Sequence, residues 1–586
     1  MAGTSGEAVL EKRPSSVLAA VLQRLRPYVL VPFLGLLAFV MAYPIFMVVY
    51  ASFKGGPPGT DAPFSLDGYV RAWTAWPTYK ALITTFGLAV PRVLTGVIFA
   101  VFATWIVTRT NTPLRGLIEE LIWLRIFLPT LPMVVAWLLL MGGSSGIINK
   151  FLMNTFNLST PPLDIQSYWG VVFNSFMMAG TFMFLYLAPA FRNMDASLEE
   201  SSRVSGASNL TTLWRITVPI MKPAILGITL LMFMVVLSSY ENELFFLSNK
   251  GKFVLTTWIW WETTTMPPDY PAAMAMSSVF LVFVAVVIFI QFKMLGKRQY
   301  TTVTGRGFGV RLLDLGKWRW VTFAIMMSWT VVGLILPMTM LVMGTFQNAY
   351  GVVDSGFTLQ YWKDALGRST VITSIKNTLV LGFMVASMGT VLYGLMSYVY
   401  LRTKLKWREG IEVLSWVPRA APSVVLGLGI VWVVLGGGIP GLTALYGTLF
   451  LMAIVILLEA TPQGMRMMNG GMVQLSLELE EASRVSGGSW LRTMRRVVMP
   501  LLAPTLLNAW LLSFLGATRA LVVLLFLYLP SSMVLSIEIF RAMIGTRPQQ
   551  AAILGVVLTA ISMVVAIVAR VLALRQRRLM EVVAVA

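Results

Sequence analysis

Cysteine and histidine are both absent from the 586 residues. Disulfides, thiolate and imidazole metal ligands, serine-histidine-aspartate machinery and cysteine-histidine nucleophiles are therefore excluded. Charge is scarce as well: 12% of residues are charged against 57% hydrophobic, and the mean hydropathy is +0.77. That balance lies far outside the range of a soluble globular chain and marks a polytopic membrane protein. The little charge present is mostly basic, for a net +20, but Lys and Arg fall in short clusters between apolar runs. There they satisfy the positive-inside rule and face anionic lipid, so membrane lipid is an expected partner and nucleic acid is not.

Residues 1–27 are polar and carry Lys12, Arg13, Arg24 and Arg26. With no small-residue cleavage site, they read as a retained cytoplasmic tail. An apolar run from Tyr28 to Ala51, about one bilayer thick, is the first span. Runs follow at about 81–108, 117–141, 168–191, 223–247 and 272–295, then at 319–345, 374–401, 410–435, 442–463, 504–529 and 550–574. The expected fold is all-α, with about 12 transmembrane helices in two parallel six-helix repeats. The first repeat covers 28–295 and the second 319–575, joined by a cytoplasmic linker over 296–318 and followed by a cytoplasmic tail over 576–586. Alternating the spans from an inside start puts Arg109–Arg115, the linker, Arg402–Arg408 and Arg570–Arg578 all inside. One span more or fewer would send half of these clusters outside.

The repeat is visible residue by residue. Tyr43-Pro44 returns as Leu336-Pro337, Phe64-Ser65-Leu66 as Phe357-Thr358-Leu359, and Arg109-Thr110 with Arg115, Ile118 and Glu119 as Arg402-Thr403 with Arg408, Ile411 and Glu412, all shifted by 293 residues. Further on, Leu198 to Gly206, with Pro219 and Pro223, returns gap-free as Leu479 to Gly487, with Pro500 and Pro504, shifted by 281. This stretch is polar, lies between apolar runs and falls on the inside in both copies. Its local signals are two short helices with a bend. Ser197, Asp195 and Ser476 are candidate caps for the first helix, Gly206 and Gly487 mark the bend, and Ser208 and Ser489 can cap the second. The second helix is expected to stop before Pro219 or Pro500. Leu210, Leu213 and Ile216, or Leu491, Met494 and Val497, share one face. Such a rod suits insertion into a partner's groove; an interfacial helix lying on lipid is the plainer alternative, and two gap-free copies favour docking.

Glu200-Ser201-Ser202-Arg203-Val204-Ser205-Gly206 followed by Ile216-Thr217-Val218-Pro219, and Glu481-Ala482-Ser483-Arg484-Val485-Ser486-Gly487 followed by Val497-Val498-Met499-Pro500, resemble the EAA loop of binding-protein-dependent ABC importer permeases. The resemblance covers both halves. It departs where serine replaces alanine at Ser201, Ser202 and Ser483, a small-for-small change. It implies a type I importer permease in the bacterial inner (plasma) membrane, fused as a double permease like the ferric-iron group. Thiamine, polyamine and phosphonate permeases are its neighbours. The resemblance further implies that Glu200, Ser201, Ser202, Gly206, Leu210, Leu213 and Pro219, with Glu481, Ala482, Ser483, Gly487, Leu491, Met494 and Pro500, form coupling helices. These would seat in two ATP-binding subunits on the cytoplasmic side, while an external solute-binding protein delivers the cargo. No Gly-x-x-x-x-Gly-Lys-Ser/Thr stretch is present. ATP and magnesium therefore belong to the partner, and this chain is expected to have no catalytic residue, no cofactor and no metal site.

For the substrate path the candidates are intramembrane charges: Arg519 first, then Arg92, Glu241 and Glu243. Arg125 is expected to pair with Glu119 or Glu120. Glu241 and Glu243 are expected at the external end of their span, where they could meet a cationic ligand or the binding protein. The 36 methionines form no Met-x-x-Met track, so they read as packing. A secondary transporter with twelve spans is the competing class, although it has no need of two equivalent rods.

Overall fold

The computed structural model describes residues 17–195, 197–295, 312–352, 355–403 and 408–585. The start of the N-terminal tail and most of the 296–318 linker lie outside the described residues. The fold is all-helical. Among the described residues ten helices are long and apolar enough to cross a membrane, and two bent pairs make twelve if each counts as one span.

The bent pairs correct the expectation of straight runs at 117–141 and 410–435. Arg115–Ile126 meets Thr130–Met141 at 105°, and Arg408–Ala420 meets Ser423–Gly436 at 94°. Pro129 and Pro422 stand at the two breaks with extended backbone, and they are related by the same 293-residue shift as Arg109 and Arg402. Proline has no amide to continue the ladder and forces the preceding residue out of the helical region, so each half breaks one span at one equivalent point.

The halves are interlocked. The first helix, Val17–Ala51, packs Leu34, Leu37 and Met41 against Met396, Val399 and Ile411 of the second half. Its Pro44 lies against Gly429, where an added Cβ would meet the Pro44 carbonyl at 2.6 Å. The equivalent helix, Trp318–Phe346, crosses the other way: Trp329 stacks on Phe99 with centroids 4.4 Å apart, and Gly344 abuts Leu139. Within a half, small residues let backbones approach, as expected where lipid removes the hydrophobic drive between helices. Gly96, for instance, faces Ala179 and Met183.

Where the first half ends, the chain returns to it. Leu313 donates its amide to the Arg109 carbonyl at 2.8 Å and accepts from the Asn111 amide at 3.0 Å. Trp318–Phe346 therefore starts on the face where Trp76–Arg109 ends. Ser369–Arg402 then crosses back and brings Arg402 to the face of Arg109. On the opposite face, Arg71 grips Asp269 with two bonds at 2.7 and 3.0 Å. Burial pushes the Asp269 carboxyl up, but the Arg71 guanidinium and the Ala272 amide outweigh it and hold the group below the usual range.

Candidate functional site

The two polar loops fold into equivalent rods on the face of Arg109 and Arg402. In the first, Ser197–Val204 is entered through Asp195, whose carboxylate accepts from the Ser197 amide at 2.9 Å. That bond holds the Asp195 carboxyl below its ordinary value. In the second, Leu477–Val485 is capped by Ser476, which accepts from the Glu478 amide at 3.2 Å. Both helices stop at glycine in the left-handed region, Gly206 at φ +87° and Gly487 at +81°. Gly206 donates to Arg203 and Ala207 to Ser202, and Gly487 and Gly488 repeat the pattern on Arg484 and Ser483, which is the Schellman turn. Ser208 and Ser489 then cap the second helices.

The serines that stand in for alanine have a use that size alone did not reveal. The Ser202 hydroxyl bonds that of Thr212 at 3.0 Å, and Ser483 bonds Thr493 at 2.8 Å. Both threonines are buried, so each bond stitches the two arms of the bend together.

The second helix does not stop at Pro219 or Pro500, contrary to expectation. It passes through a π turn, Leu213–Thr217 or Met494–Val498, straight into the spans Asn209–Leu237 and Trp490–Arg519. The Val218 amide reaches back five residues to Leu213, and Met499 to Met494. In α register, proline would crowd the carbonyl four residues back without offering it an amide; the wider turn relieves that conflict. Each rod is consequently continuous with a membrane span.

A buried ion pair that sequence reasoning missed ties each rod to its own half. Arg109 donates to the carbonyls of Phe191 and Met194 at 2.6 and 2.8 Å, and its Nε lies 3.5 Å from Glu199. Arg402 does the same with Met472 and Leu475 at 2.8 and 2.7 Å, and lies 3.4 Å from Glu480. Glu199 also accepts from Thr217 at 2.6 Å, while Glu480 accepts from Tyr398, whose oxygen in turn accepts from Trp490. The signal was available, since Glu199 and Glu480 repeat at the 281 shift and Arg109 and Arg402 at the 293 shift. What the sequence could not supply was their meeting.

Of the expected rod residues, Leu213 is buried, Met494 half-buried and Glu200 half-buried, while Ser201, Glu481, Ala482, Pro219 and Pro500 are exposed. Leu210 and Leu491 stand out at 56% and 68% exposure. Beside them Val204 and Val485, which carried no expectation, reach 90% and 83%. Each rod thus exposes two apolar side chains on either side of its bend.

Between the halves lies a cavity of about 700 Å³. Its walls include equivalent residues of the two breaks, Thr130 and Ser423, and Arg92, Glu241, Arg419 and Arg466. Arg92 is already engaged: it donates to Ser175 at 2.7 Å and to Ser239 at 3.1 Å, and pairs with Glu243. Glu243 is therefore buried, not an external acid. The chain leaves the span at Ser238 and turns back inward as the short helix Glu241–Phe246. Glu241 lines the cavity next to Thr130, within electrostatic reach of Arg519. Arg519 itself stands behind the wall and donates to the Ile126 carbonyl at 2.8 Å, joining the second half to the broken span of the first.

Arg125 does not pair with Glu119 or Glu120. Residues five and six apart point to different faces of a helix. Glu119 takes Arg192 and Glu120 takes Arg570, while Arg125 donates to the Gly333 carbonyl and lies over the Trp329 ring.

Two interlocked six-span halves around one cavity, each presenting a rod on the same face, define a duplicated membrane-spanning protein of the transport class. The chain belongs to the family of binding-protein-dependent transport system inner membrane components, which it matches over residues 92–301 and 389–578. The ferric transport system permease protein FbpB of Actinobacillus pleuropneumoniae is 27% identical over 66% of this chain and 56% of its own length. A putative ferric transport system permease of Haemophilus influenzae is 27% identical over 66% and 61%. A probable ABC transporter permease of Sinorhizobium fredii is 25% identical over 72% and 74%. The chain thus spans less than two thirds of the length of the two ferric relatives.

Proposed function

We propose that the chain is the permease subunit of an ATP-driven importer that takes a small polar solute from an external binding protein and releases it to the cytoplasm by alternating access. The observation that carries this reading is the pair of equivalent rods, each with an exposed apolar tip, a buried ion-pair anchor and an unbroken connection into a membrane span. Two ATP-binding subunits on the cytoplasmic side would receive the tips formed around Glu200, Gly206, Leu210, Glu481, Gly487 and Leu491. Closure of those subunits would move each rod and, through the π turn, its span. Both termini then lie in the cytoplasm. We assign ferric iron as the cargo on the names of the two ferric relatives.

A secondary transporter would need coupling charges in its core and no docking rods. Uptake measured in proteoliposomes with the nucleotide site of the co-purified ATPase disabled separates the two classes. Uptake is expected to stop; persistence would remove the importer reading.

A further inference from the structure

We infer that Arg466, stacked on Trp416, is the anion-recognition residue of the central cavity, and that the solute crosses as an organic oxyanion, a carboxylate or phosphonate either free or wrapped around a metal. The inference rests on the reading of this cavity as the importer's path.

The residues facing the cavity are unevenly charged. Three guanidinium groups, of Arg92, Arg419 and Arg466, line it against the one carboxylate of Glu241. Of these charges Arg92 is paired with Glu243, while Glu241 and Arg419 lie within electrostatic reach of Arg519 and Glu459 but form no salt bridge among the described residues. Among the described residues Arg466 has no carboxylate within salt-bridge distance. Its guanidinium lies 4.4 Å from the centroid of the Trp416 ring. The ring holds the guanidinium by a cation–π contact, and Arg466 makes no side-chain hydrogen bond among the described residues, so its N–H donors remain for the fork that carboxylate and phosphonate oxygens match. A second unsatisfied donor lines the same space: Tyr240 is 2% exposed and its hydroxyl has no hydrogen-bond partner.

The internal repeat sharpens the assignment. Gln463 and Arg466 of the second half correspond, at the 281 shift, to Phe182 and Leu185 of the first. The helix Leu449–Val473 thus faces the cavity with Gln463 and Arg466, while the equivalent helix Tyr168–Asn193 faces it with Met178, Phe182 and Tyr186. An anion with an organic body meets both linings, whereas a bare trivalent cation meets a surplus of positive charge. No group of three or more acidic ligands able to hold a metal occurs among the described residues. A volume of about 700 Å³ also fits a small organic molecule or chelate and far exceeds a single ion. Iron would accordingly enter this cavity in anionic coordination.

The test is calorimetric titration of the full chain in lipid nanodiscs with citrate, ferric citrate, phosphonoacetate and lanthanum chloride. At least one oxyanion is expected to bind saturably. Arg466→Gln should weaken it by roughly tenfold, the loss of a charged bidentate contact, and Arg466→Lys should recover part of it. Because Arg466 is exposed to the cavity, the Gln variant should keep the unfolding temperature of the parent. Tighter binding of ferric citrate than of citrate identifies the chelate as the source; equal binding, or preference for phosphonoacetate, identifies the free anion. Binding of lanthanum alone, absence of any oxyanion binding, or binding unchanged in Arg466→Gln overturns the inference. Co-purification with the ATPase is scored on the same preparations. Loss of the partner with oxyanion binding intact removes the importer reading, and the reverse pattern removes the cavity assignment.

Discussion

At the scale of single residues, the most consequential contact is the Arg–Glu pair beneath each rod. Arg109 and Glu199 are both almost fully buried, so removing one partner strands a charge in a dry site. Glu199→Ala or Arg109→Ala is expected to destabilise the protein by about 3–5 kcal/mol, whereas exchanging both for methionine should cost far less, because no lone charge remains. Thermal unfolding in detergent measures the difference. If the pair also positions the rod, the double methionine variant will fold yet hydrolyse more ATP per solute imported, a readout that stability alone would leave unmoved. An unchanged ratio would reduce the pair to a structural role.

At the scale of elements, the rods were largely legible. Caps, glycine bends and the two-helix form follow from local rules, and Asp195, Ser476, Gly206 and Gly487 stand where those rules place them. The failure at Pro219 and Pro500 is instructive, because the rule that proline ends a helix describes α register only. A π turn escapes it, and nothing in a run such as Leu-Trp-Arg-Ile-Thr announces one. The broken spans were illegible for a related reason: an apolar run reports burial, not straightness, so Pro129 and Pro422 bend what hydropathy draws as a line. Positive φ at the rod bends gives the second prediction. Gly206→Val and Gly487→Val should leave the chain inserted and the cavity competent for solute, because a Cβ at either site meets nothing within 4 Å, but the strain of about 1–2 kcal/mol per site should redirect the tips. Uptake should fall several-fold while ATPase activity persists. Full uptake in the double variant would count against docking through these bends.

At the scale of the whole molecule, the twofold plan was readable from two constant offsets, but the exchange of first helices was not, because a repeat shows what corresponds and not what touches. Nothing in the apolar run from Tyr28 to Ala51 sets Leu34, Leu37 and Met41 apart, yet they are buried on the other half. This predicts that a chain cut between residues 296 and 311 will reassemble when both pieces are made together. Either piece alone should be degraded, since each leaves uncovered the surface that the other's first helix occupies. Pull-down of one tagged fragment measures it; two stable, non-associating fragments would contradict the exchange.

Arg466 lines the cavity from one half only, while the rods and their anchors come in pairs. A dimer of identical half-chains would have to carry that guanidinium twice, or not at all. Joining the halves in one polypeptide gives every molecule one left and one right wall, so the paired rods can stay matched while the cavity linings drift apart without a risk of mispairing.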